Sequence, residues 1–225
     1  MNSVYMKIIG CMQVGGNCSW ILDSSLTNMS EIVDEIILVG GCVSDDSKKI
    51  IARCNKVVET NFYSDNQSRI EWNDMNSLLR MAKNHNADWI LFMDADETFE
   101  PRFKITIRDH INNPDAGMYK FRRYWLWNTA EQYRVDRPEK FSSLAYNSYL
   151  VRSTPALHFP NPAGTLWKRL IKHLQGKEKL RPYFGREPIT GIMGNILESD
   201  IVLLHHAALN WEQFIKNQMW YSILL

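Results

Sequence analysis

Cysteine is scarce in this chain, and neither sign of charge dominates. The four cysteines (Cys11, Cys18, Cys42 and Cys54) sit in the first quarter of 225 residues and show no zinc-type spacing. They read most simply as reduced, mostly buried thiols of a cytoplasmic protein. Lys and Arg number 26 against 25 Asp and Glu, a net charge of +1, so no global field draws nucleic acid or membrane. No apolar run approaches the length of a membrane-spanning helix, and Met1 to Tyr5 lack a signal peptide's basic and apolar regions. There is no internal repeat and no low-complexity segment. What is present, 45% hydrophobic and 23% charged residues, describes a soluble globular protein. The length suits one domain over 1–225 rather than two. Eight tryptophans are many for this length; aromatic faces line sugar sites, although most tryptophans are core.

The most informative stretch is Asn86 to Pro101. Trp89 to Met93 is a continuous apolar run, the pattern of a strand buried on both faces. It stops in Asp94, Ala95, Asp96 and Glu97, which places three carboxylates at the C-terminal edge of a sheet. Ligands bind at that edge in open α/β folds. Alternation sends Asp94 and Asp96 to one side with small Ala95 between them. Acids this close repel one another and call for a positive partner; a divalent cation shared with ligand phosphates meets that demand. The plainer alternative is an acidic turn capping the next helix, with Pro101 at its first position.

Around that stretch the chain alternates. Tyr5 to Met12 predicts a first strand, Gly15-Gly16 a turn, and Asn17 or Ser19 the cap of a helix carrying Trp20, Ile21, Leu26 and Met29. Ile36 to Val39 predicts a second strand ending in Gly40-Gly41, and Ser44 starts a helix with Asp45 and Asp46 in its first turn. Val57-Val58 is a short third strand. Trp72, Met75, Leu79 and Ala82 then mark an amphipathic helix. Strands alternating with helices to residue 110 imply a mostly parallel, Rossmann-like central sheet with helices on both faces.

The half from 111 to 225 is irregular. Strands are expected at Met118 to Tyr124, Tyr146 to Val151 and Ile201 to Leu204, the last ending in His205-His206. A loop-rich stretch between the first two holds Trp125, Trp127, Tyr133, Arg134, Asp136, Arg137 and Glu139. Arg122, Arg123, Trp125 and Trp127 suit either an acceptor or diphosphate grip or plain packing, and a mixed outcome is expected. His158 lies in a proline-broken loop. The segment around Lys168 pairs basic residues with an apolar helix side, which allows a weak membrane-surface or self-association contact. Asn210 with Gln213 suits the start of a final helix.

These residues resemble the family-two glycosyltransferases. The carriers are Val33 to Val39 followed by Ser44-Asp45-Asp46-Ser47, Asn76 with Leu79 and Ala82, and above all Ala87 to Glu97 with its Asp-x-Asp block. His205 after Val202-Leu203-Leu204, with Lys216 and Tyr221, is similar to a late histidine segment. The resemblance implies a GT-A fold, with 1–110 as the nucleotide-sugar half and 111–225 as the acceptor half. It also implies a nucleotide-diphosphate sugar donor, a glycan, protein or small-molecule acceptor, a bound Mn2+ or Mg2+, and inversion at the anomeric carbon. By position Asp94 would lie near the donor ribose and metal, Asp96 would bind the metal, and His205 would be a further ligand or a diphosphate contact. Gly40, Gly41 and Asn76 would join Asp94 in holding the donor. A base must deprotonate the acceptor hydroxyl; Glu97, Asp136 and Glu139 are the candidates.

Two departures fall on the nucleotide side. Gly15-Gly16-Asn17 stands where the family carries an Asn-Glu-Glu-like turn, and Gly40-Gly41 replaces its acids after strand two. They motivate the alternative, a catalytically degenerate relative that only binds. Glycine backbones that approach the ligand through their N–H groups would restore the contacts. A nucleotidyltransferase would need a basic glycine-rich loop after strand one, and no Lys or Arg adjoins Gly15-Gly16.

Overall fold

A computed structural model describes residues 5–64, 71–134, 148–161, 174, 188–212 and 214–215. Within them the order is β1 (Ile8–Gln13), α1 (Ser19–Ile32), β2 (Glu35–Gly41), α2 (Asp45–Arg53), β3 (Val57–Tyr63), α3 (Glu71–Asn84), β4 (Trp89–Asp94), β5 (Glu97–Phe99), α4 (Phe103–Asn112), β6 (Ala116–Trp127), β7 (Thr129–Tyr133), β8 (Tyr149–Arg152) and β9 (Asn195–Ala208). The strands form one sheet in the order β3-β2-β1-β4-β8-β6-β9-β5, with β7 paired to β6. From β3 to β4 every pairing is parallel. Beyond β4 the sheet is mixed: β8 is antiparallel to β4 and β6, and β9 is parallel to β6 but antiparallel to β5.

The apolar run of β4 is buried on both sides because helices cover both faces. Trp89, Leu91 and Met93 pack with residues of α1, α2 and α4, whereas Ile90 and Phe92 pack against Met75, Leu78 and Leu79 of α3. Ser44 caps α2 as expected, accepting the Ser47 N–H at 3.2 Å. At α1, by contrast, the cap position is Cys18, which makes no side-chain cap bond, and the expected Asn17 accepts the Ser19 N–H at 3.3 Å from just ahead of it. No helix among the described residues is long and apolar enough to cross a membrane. All four cysteines are unpaired, and Cys11 is buried.

Several expectations need correcting. Trp125 and Trp127 lie within β6, not in a loop, and β7 folds back on that strand as a hairpin. Strand β9 is longer than its apolar centre, so His205 and His206 lie inside it rather than at its end. Pro101 precedes α4, which begins at Phe103, and does not occupy its first turn. Asp136, Glu139, Lys168, Lys216 and Tyr221 fall outside the described residues.

Candidate functional site

After Asp94 the chain turns sharply through Ala95 and Asp96 and re-enters the sheet as β5. That turn separates the three acids. Asp94 and Asp96 stay partly open, with side chains 31% and 29% exposed, while Glu97 is driven inward and is fully buried. Pairing of β5 with β9 sets Glu97 opposite His205, and pairing of β9 with β6 sets Trp125 beside the same histidine. The Asp-x-Asp turn and His205 are thereby brought together.

Glu97 is held from three sides. Its Oε2 accepts the Asp94 N–H at 3.1 Å and the Ser148 hydroxyl, and its Oε1 is ion-paired with Arg123. The guanidinium of Arg123, itself buried, also donates to Asp94 Oδ2 at 3.4 Å. Burial, with help from Asp94 and Asp96, pushes the Glu97 carboxyl up to about 7 against the opposing pull of Arg123 and Ser148. A base must touch the acceptor, and Glu97 has no exposed surface from which to do so. In this structure the Glu97 side chain serves as a buried anchor of the site.

His205 stacks on Trp125 with ring centroids 4.1 Å apart, and its Nε2 lies 3.6 Å from Asp96 Oδ2. Burial holds its pKa below the usual value, so the ring is neutral near pH 7. The Ala207 N–H faces Nδ1 at 3.4 Å, which makes Nδ1 the acceptor and leaves the ring proton on Nε2, toward Asp96. That tautomer suits donation to an anionic oxygen better than ligation of a metal. His206 points elsewhere, its Nε2 lying 2.8 Å from the Thr98 hydroxyl.

Gly40, Gly41 and Asn76, expected at the donor, each make close contacts within the chain. Gly40 and Gly41 are buried, and a Cβ on Gly40 would lie 1.6 Å from the Val14 carbonyl oxygen, one on Gly41 2.5 Å from the Tyr63 ring. Their close approach is to Val14, just past the end of β1, and to Tyr63 at the end of β3. Asn76 clamps a loop: its amide donates to Phe159 O at 2.9 Å and accepts the Phe159 N–H at 3.0 Å. Asn76→Ala should therefore strand the Phe159 backbone groups and cost about 1–3 kcal/mol in chemical denaturation. His158 is exposed and pairs with Thr190.

Arg123 is the residue that sequence reasoning undervalued. Strand phase could have singled it out, because it shares parity with Tyr119 and Phe121, both buried, whereas Arg122 is exposed.

The site's titrations set opposite slopes of stability against pH. Burial, partly offset by Asp96, lowers the His206 pKa from 6.5, so its contribution is complete above 6.5 and is lost as pH falls through the folded value. Glu97 runs the other way: raised from 4.5 to about 7, it favours folding at acid pH and loses that contribution as pH rises through this window. Denaturant unfolding at a series of pH values should show the stability difference between wild type and His206→Gln shrinking below 6.5. The difference between wild type and Glu97→Gln should move against the mutant as pH falls from 7 toward 4.5.

No protein-family model matches this chain, and no curated protein matches it. Solved structures do. The crystal structure of S. aureus TarS 1-349, a GT-A-type glycosyltransferase, aligns with a TM-score of 0.57 at 15% identity, over 94% of this chain and 63% of that one. The fold is GT-A-like. The same TarS fragment in complex with UDP gives a TM-score of 0.52 at 14% identity over 69% of this chain and 50% of that one. In complex with UDP-GlcNAc it gives 0.51 at 13% over 69% and 49%. The chain spans about half to two thirds of the length of these TarS structures. In this GT-A-like frame the Asp94–Asp96 turn lies at the C-terminal edge of the parallel strands, where open α/β sheets bind ligands.

Among the described residues no three His, Cys, Asp or Glu side chains converge to hold a metal ion. Mg2+ and its analogues are commonly bound by one or two carboxylates completed by substrate phosphates. Asp96 fits that kind of site. Its carboxylate is partly exposed, and His205, its one ion-pair contact among the described residues, is neutral near pH 7.

Proposed function

We propose that this chain is a metal-dependent, inverting glycosyltransferase that moves a sugar from a nucleotide-diphosphate donor to an acceptor. One observation carries the reading: on a GT-A-like sheet edge, Asp94 and Glu97 share a buried guanidinium while Asp96 keeps an open carboxylate. The likeness to TarS, solved with UDP and UDP-GlcNAc, makes a uridine nucleotide-sugar the first donor to test.

Breaking the sugar–diphosphate bond builds negative charge on the leaving phosphate. A divalent cation at Asp96 would act there as a Lewis acid. His205, with its proton on Nε2 and its ring fixed by Trp125, would donate to a diphosphate oxygen. Asp94, fixed by its backbone bond to Glu97 and its side-chain bond to Arg123, would orient the donor next to that oxygen. The acceptor base is sought in Asp136 and Glu139, since Glu97 is closed off.

Titration calorimetry with Mn2+ and a panel of nucleoside diphosphates tests the reading. Metal-dependent binding of one nucleotide, with slow hydrolysis of its sugar donor, is the expected result. Absence of binding to every nucleotide would sink it and leave a degenerate binding protein.

A further inference from the structure

We propose that Arg123 is a positioning residue that withholds Asp94 from the cation, leaving Asp96 as the only carboxylate of the acidic block that binds metal. This rests on the metal role given to Asp96 above. The guanidinium lies between two acids of unequal freedom: Glu97 is wholly buried, and Asp94 is part exposed. Glu97 cannot move, because the Asp94 N–H, the Ser148 hydroxyl and its place opposite His205 all fix it. Arg123 is held in turn by its contact with Glu97 Oε1 and by its place on a buried position of β6. Asp94 Oδ2 therefore accepts from a guanidinium that is itself pinned. To turn toward a divalent cation it would have to give up that bond and hold the cation beside a fixed positive group. Asp96 lies within the turn, and its ion-pair contact among the described residues is His205 rather than Arg123.

The test is a Mn2+ titration of the full chain, followed by the loss of the free-ion paramagnetic resonance signal, without nucleotide and then with UDP. Arg123→Gln combined with Glu97→Gln removes the guanidinium without stranding a buried acid. It should raise affinity for Mn2+ alone about tenfold, the scale of one added interaction with a charged group. Adding Asp94→Asn to that double variant should abolish the gain. An unchanged or weaker affinity in a double variant with native near-ultraviolet dichroism would overturn the proposal. Should the double variant fail to fold, Asp94→Asn alone decides: affinity within about twofold of wild type supports the proposal, and a loss of about tenfold or more, as for a true ligand, overturns it. Asp96→Asn separates the two ideas. If it leaves Mn2+ binding intact, the metal role of Asp96 falls, whereas a gain in the double variant that Asp94→Asn reverses stands independently as evidence that Arg123 restrains Asp94.

Discussion

Asp96→Ala is expected to lower Mn2+-dependent affinity for UDP by about 100-fold or more while leaving the fold intact. Substitution of groups that merely support a metal's ligands costs 10–100-fold as an order of magnitude, so loss of a ligand should exceed it. The separation from stability follows from how little the side chain does in the folded chain. Its carboxylate is 29% exposed and lies 3.6 Å from His205. The structural contact at this position is made by the backbone, where the Asp96 carbonyl accepts the His206 N–H at 2.8 Å, and alanine keeps it. A surface change of this kind shifts stability by about 0.5 kcal/mol or less. Calorimetry with and without Mn2+, beside a denaturation curve, checks both halves. Retained metal-dependent binding would remove the metal role of Asp96. Lost binding together with a lowered denaturation midpoint would instead mark a structural residue.

The half of the molecule that precedes residue 110 was legible because its signals are local. Trp89 to Met93 has no polar residue to place in water, so it had to be a central strand, and Ser44 with Ser47 wrote its own helix cap. The Asp-x-Asp turn was legible as an edge feature for the same reason. Its internal split was not. Extended alternation pairs Asp94 with Asp96, but it says nothing of Glu97, whose fate depends on a turn and on β9, about a hundred residues away. Strand β9 itself was hidden by Glu198, Ser199 and Asp200, which interrupt the apolar pattern; it is held by long-range pairing with β6, with register shifts that local reading cannot supply. The resemblance set His205 with the Asp-x-Asp turn, and its Nε2 does lie 3.6 Å from Asp96, yet its stacking on Trp125 needed the parallel β6–β9 register. The glycines at 40 and 41 have a packing role of their own, distinct from the donor contact expected of them. A strand that ends in two glycines suggests close approach of something to the backbone, and something does approach, but it is the chain itself.

That distinction predicts the largest effect on stability in the chain. Gly40→Ala would place a Cβ 1.6 Å from the Val14 carbonyl oxygen and 2.7 Å from its carbon. Both obstructing atoms are backbone, so no rotamer change relieves the overlap. The end of β1 would have to lift from β2, breaking the bond from Val14 N–H to Val39 O at 2.9 Å and opening contacts around Val14 and Val39, both 1% exposed. Overpacking of this kind combined with a lost buried hydrogen bond belongs with the rare substitutions that cost more than about 4 kcal/mol. Against a total of about 5–15 kcal/mol for an ordinary domain, that leaves little cooperative folding. Gly16→Ala is the control. Gly16 has φ +59 but nothing within 4 Å of the added Cβ, so only left-handed backbone strain opposes it, about 1–2 kcal/mol. Urea denaturation of both variants should show Gly40→Ala unfolded or far below Gly16→Ala, and equal midpoints would contradict the packing account. The consequence for function is direct: a Gly40 variant that loses nucleotide binding reports on the junction of β1 and β2, and evidence for a donor site must come from side chains such as Asp96 whose removal spares the fold.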